Sequence, residues 1–136
     1  MTFVDRLREL LALEEELAND VLPRLRDRVH AADLSWALDR HLHETDEHVL
    51  RLRRILREHP VDVPLLDDLA TVAEIIRAEH LELAHYTVLV HLAQALALDD
   101  DVVHLLRRNM GEEEFALEQA EHALVKLLAE KVESDM

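Results

Sequence analysis

The stretch AEIIRAEHLELAHYTVLVHLAQAL, residues 73–96, decides the fold. It contains no Gly or Pro, and Ile75, Ile76, Leu83, Leu89, Val90, Ala93 and Leu96 recur at helical spacing, so it reads as one long amphipathic helix. At about 100° per residue, positions 75, 79, 82, 86 and 89 share a face. Glu79, Glu82 and Tyr86 therefore stand where neighbouring turns carry Ile and Leu. An ionised carboxylate is costly to bury alone, so on such a face it is wet, protonated, paired with a cation or bound to a metal. A tilted helix that keeps its glutamates at a solvent edge fits the same pattern.

The composition around this stretch is that of a helix bundle. Hydrophobic residues make up 49% and charged residues 33%, with one Gly and three Pro, too few turn formers for a sheet protein. A length of 136 residues supports one domain, expected to span 1–136. The absence of Cys excludes disulfides, thiolate metal sites and thiol nucleophiles. No apolar run approaches the roughly 20 residues that span a bilayer, and MTFVDRLREL has acids where a signal peptide has bases, so a soluble cytoplasmic protein without a membrane partner is expected. A net charge of -15 argues against nucleic acid and favours cations as small partners. The ten histidines could be ligands, pH-sensitive groups or surface residues.

Four helices are expected, at about 3–28, 34–58, 66–98 and 101–130. Thr2 and Asp5 form a capping box for the first, whose inner stripe is Val4, Leu7, Leu11, Ala18, Val21 and Leu25. Glu14 interrupts that stripe, and Pro23 predicts a kink. The segment 30–33 reads as a turn, with Asp33 as N-cap of the second helix. Its stripe is Leu34, Leu38, His41, Glu44 or Thr45, His48, Leu52 and Ile55, so Glu44 and His48, one turn apart, can approach the same ion. HPVDVP then breaks the helix, and Asp62 or Asp67/Asp68 caps the third. The acids at 99–101 favour the start of the fourth helix, whose stripe runs through Val103, Leu106, Met110, Leu117, Ala120, Leu124 and Leu127 with Glu113 at the missing step. Gly111 suggests an irregularity or close packing there, and the last residues are expected to fray.

The same interruption thus occurs once near the middle of each helix: Glu14, Glu44 with His48, Glu79 with Glu82, and Glu113. Packed at one level of a bundle core, such residues make a dinuclear carboxylate site, and carboxylates with an imidazole suit iron or manganese. LRELLALEEEL with VLPRL, HLHETDEHVLRL, LDDLATVAEIIRAEHLELAHYTVL and GEEEFALEQAEHAL resemble, in order, the landmarks of the bacterial ferritin-like domain family typified by the stress-associated proteins YciE and YciF. The resemblance implies an all-α, ferritin-like four-helix bundle that holds two iron ions, or manganese. It implies ligand roles for Glu14, Glu44, Glu79, Glu82 and one of Glu113 or Glu114, with His48 as the imidazole, and a connection with stress responses.

Three features depart from that pattern. Only about ten residues join the second and third helices, a reach of at most about 35 Å, so an up-and-down bundle or an exchange of helical pairs in a homodimer is an alternative to the long crossover. Glu-x-x-His occurs only as Glu82 to His85. Glu113 and Glu114 have no well-spaced His. Two functions follow: a metal protein that reacts with oxygen or peroxide, with Tyr86 either near the site or an ordinary core aromatic, and a metal-free bundle acting through protein contacts. A hemerythrin-like carrier would need more histidines on the inner faces. Ser35 and Ser134 lie in no hydrolase motif.

Overall fold

The computed structural model describes residues 2–59, 64 and 67–135, with side chains up to Glu130. The protein is all-α, as expected: α1 (Phe3–Glu16), a π turn (Leu17–Val21), α2 (Leu22–Arg28), α3 (Ala32–Glu58), α4 (Asp67–Ala95) and α5 (Asp100–Asp135). It divides into two compact units, Met1–Leu65 and Leu66–Met136, each a pair of long helical rods. The expected connection across 59–67 and the Asp62 cap lie outside the described residues.

In unit 1, α1, the π turn and α2 form one rod packed along α3. The capping box is present: Thr2 N–H donates to Asp5 Oδ2 at 2.9 Å and Asp5 N–H to Thr2 Oγ1 at 3.1 Å. Val4, Leu7, Leu11, Glu14 and Ala18 face inward, but the next inward residue is Leu22, not Val21, and Leu25 is exposed. The cause is the π turn, in which the Leu22 N–H reaches back five residues to the Leu17 carbonyl and rotates the following stripe by one residue. Pro23, which lacks an N–H and crowds the preceding turn, lies in the first turn of α2, directly after this wider turn.

The second helix begins two residues earlier than Asp33 as N-cap would have it. Its N-cap is Ala31, extended at φ -70° and ψ 126° with no side-chain cap; Asp33 sits in the first turn, where its charge complements the dipole. The expected stripe is also displaced. Leu38, Leu42, Thr45, Val49, Leu52 and Leu56 line the seam, while Leu34, His41 and Ile55 are exposed. Two adjacent heptad rows compete on α3, and packing selects 42, 49 and 56, which are Leu, Val and Leu, over 41, 48 and 55, which include two His.

The same selection operates in unit 2. On α4, Leu69, Val72, Ile76, Glu79, Leu83, Tyr86, Val90 and Ala93 face α5, whereas Ile75, Glu82 and Leu89 of the expected face are exposed. The row 76, 83, 90 is wholly apolar; the row 75, 82, 89 contains Glu82. On α5 the inward residues are those expected, including Glu113, at 103, 106, 110, 113, 117, 120, 124 and 127.

Two tight features join these helices. α4 ends at Ala95 instead of near 98, because Ala97 takes a left-handed conformation, φ 53°, and the N–H groups of Leu98 and Ala97 bond back to the carbonyls of Ala93 and Gln94 at 3.0 and 3.1 Å. α5 starts at Asp100, close to expectation, with Asp100 and Asp101 in its first turn, and its range extends to Asp135, past the expected end near 130. It passes straight through Gly111, where an added Cβ would meet nothing within 4 Å, so neither irregularity nor close packing exists there.

Candidate metal centre

Heptad spacing along both helices of unit 2 brings Glu79 of α4 opposite Glu113 of α5, in positions that Leu or Val occupies a turn away. Glu82, three residues after Glu79, reaches in from the seam edge. One carboxylate oxygen from each of Glu79, Glu82 and Glu113 lies within 4.8 Å of the other two. Oε2 of Glu79 is buried and makes no hydrogen bond. A buried oxygen left without a donor is costly, and three like charges at this spacing repel.

Protons can relieve part of this repulsion. The neighbouring Glu113, within hydrogen-bonding reach, holds the Glu82 carboxyl above its ordinary range, and the Glu113 charge and desolvation add to this. Glu113 is itself held high, chiefly by the Glu79 carboxylate beside it; its contact with Glu82 opposes that shift. A hard cation would relieve the cluster more completely. Oxygens around an ion at about 2.1 Å stand roughly 3 to 4 Å apart, so the three carboxylates need to contract by only about an ångström. By donor type, spacing and the orphaned oxygen, these residues fit iron, manganese or magnesium.

Beside the cluster, the Tyr86 hydroxyl accepts from the Asn109 side-chain amide at 3.4 Å, which ties the ring to α5 one turn before Glu113. Asn109 was not singled out in the sequence; its place four residues before Glu113, flanking the α5 stripe, is the signal that could have found it. Glu114 is exposed, so Glu113 is the inner residue of that pair. His85 is exposed on the far side of α4 from the seam.

Unit 1 holds the other expected ligands differently. Glu14, with 18% of its side chain exposed, lies 3.5 Å from Nδ1 of His48, on α3 across the seam. Thr45, fully buried, takes the inner place and donates to the His41 carbonyl at 2.7 Å. Glu44 is turned to Arg40, whose Nε donates to it at 3.0 Å. The six expected residues thus fall into a carboxylate trio in unit 2, a carboxylate–imidazole pair in unit 1 and an ion-paired glutamate.

No helix among the described residues is long and apolar enough to cross a membrane. No curated protein sequence matches the chain. A solved structure of the Rhodopseudomonas palustris protein YcfI is similar at 26% identity, over 85% of this chain and 87% of that one, with a TM-score of 0.39. Residues 1–66, the whole of unit 1 and one residue more, match the model of a family described as a domain of unknown function, DUF892.

Proposed function

We propose that the protein is a ferritin-like metal-binding protein of the cytoplasm that holds a hard cation, iron or manganese, on Glu79, Glu82 and Glu113. The observation that carries this reading is the buried, unbonded Oε2 of Glu79, a member of a carboxylate cluster that a cation would satisfy. Glu14 and His48 offer a second donor pair in unit 1, and Glu44, one turn before His48, joins it by giving up Arg40. Two ions per chain are therefore expected. When bound, iron would supply electrons to oxygen or peroxide, which fits a role in oxidant stress. The chain's own part is to fix the carboxylates on rigid helices and leave coordination positions open beside Tyr86.

The test is elemental analysis of protein purified without chelator and reconstituted anaerobically with Fe(II). Wild type is expected to hold about two ions, and the double variant Glu79→Ala, Glu82→Ala about one. A folded wild type without stoichiometric metal overturns this reading. It would favour a metal-free helical protein acting through contacts, a reading helped by the raised Glu82 and Glu113, which can share protons without any ion.

A further inference from the structure

Helix α4 is apolar on two opposite sides. The side away from α5 carries Ala78, Leu81, His85, Val88, Leu92 and Ala95, all exposed, with Leu81, Val88 and Leu92 at 64%, 57% and 49%. Their steps are 3, 4, 3, 4 and 3, the rhythm of a coiled-coil seam. A contiguous apolar strip of this length on the outside of a helix marks an interaction surface.

We infer that α4 carries a second, self-complementary seam through which two copies of this chain pair antiparallel. The argument is the symmetry of the row about a point between Tyr86 and Thr87. Read in either direction the spacing is the same, and the residue sizes mirror one another: Ala and Leu at one end, Leu and Ala at the other, His85 and Val88 in the middle. A two-fold interface requires a surface to be complementary to itself, and an antiparallel pair of such rows sets Ala78 against Ala95, Leu81 against Leu92 and His85 against Val88 of the second copy.

The flanks agree with this register. Ile75 comes beside Leu96 of the second copy, and both are otherwise exposed, at 42% and 67%. Arg77 comes beside the C-terminal end of the other α4, whose last turn has no basic residue of its own, so the guanidinium meets the negative end of a dipole. A parallel pair would instead place His85 against His85 in the seam. A shallow groove of about 600 Å³ past Ala78, Leu81 and Ala84 gives room for the opposing leucine. Contact over about 27 Å of two helices buries on the order of 1,200 Å², the lower edge of a standard protein interface.

This inference does not rest on bound metal, so its test uses the metal-free full chain. Sedimentation velocity at about 100 µM should show a dimer for wild type. Leu81→Glu alone and Leu92→Lys alone, both at exposed positions, should each weaken dimerisation by about tenfold or more while helical circular dichroism is kept. The two together in one chain should restore it to within about threefold of wild type, because each new acid then faces a new base across the two-fold. A monomeric wild type, single variants that dimerise like wild type, or a double variant no better than the singles each overturns the proposal.

Discussion

The two units share a plan and differ in how they treat a charge at mid-seam. In unit 1 the inward glutamate, Glu14, meets an imidazole, and the seam position on α3 is the small, self-satisfied Thr45. In unit 2 both seams carry a glutamate, and a third leans in, so like charges are concentrated. The outer faces differ as well. α3 turns Arg40, His43, Glu47, Arg51, Arg54 and Glu58 outward, laced by bonds such as Arg51 Nη2 to Glu47 at 3.1 Å and Arg54 Nε to Glu58 at 3.0 Å. α4 carries Ala78, Leu81, Val88 and Leu92 on the side away from α5. Both units also expose large apolar side chains, such as Trp36 and Leu50 in unit 1 and Leu81 and Phe115 in unit 2, so the contrast lies in how charge is placed at the seam.

Substitutions of the most buried leucines test whether the two cores are nevertheless equivalent. Leu22→Ala in unit 1 and Leu69→Ala in unit 2, at 3% and 5% exposure, should each cost about 2 to 4 kcal/mol in chemical denaturation. A loss below about 1 kcal/mol in either would show that its unit lacks a rigid core. Smaller changes address the helix ends and interiors of unit 2 alone. Gly111→Ala should stabilise by about 1 kcal/mol, since the site is helical and open, and Ala97→Gly by about 0.5 to 1 kcal/mol, since the left-handed turn strains a Cβ. Urea midpoints that fall in either variant would contradict these conformations.

The response to pH should separate the units by sign. In metal-free protein, Glu82 and Glu113 titrate above the ordinary glutamate value of 4.5, so the folded state binds protons the unfolded chain has released. Their contribution to stability is present below about that value and is lost as pH rises through the raised range. Asp5 works the other way. The Thr2 backbone N–H, then its hydroxyl, lowers its pKa below 3.8, so its contribution is present above that value and lost only on strong acidification. Urea midpoints measured from pH 4 to 7 should decline in wild type and flatten in the double variant Glu82→Gln, Glu113→Gln. An unchanged slope in that variant would remove the cluster as the cause.

Much of this was legible in the sequence, and the misses have definite causes. The helices, the Thr2 capping box and the acids at the start of α5 follow from local chemistry that no tertiary contact overrides. The inward placement of Glu79 and Glu113 followed from periodicity. What periodicity could not resolve is which of two neighbouring heptad rows is buried, because rows 20° to 100° apart are both apolar enough on α3 and α4; the choice is made by the partner helix. The π turn and the left-handed Ala97 escaped for another reason. A π turn has no composition of its own, and Ala is a residue that ordinarily avoids positive φ.

The π turn at Leu17–Val21 has a consequence for how this chain can change length. One residue more than an α-helix needs is stored there, and everything after it is rotated to compensate. Losing one residue within the turn would return the rod to regular α-helix with Leu22 still facing α3. Losing one anywhere from Arg6 to Leu13 would instead turn Val4 and its neighbours about 100° out of register with Glu14. The rod thus contains a single place where its length and its facing are uncoupled.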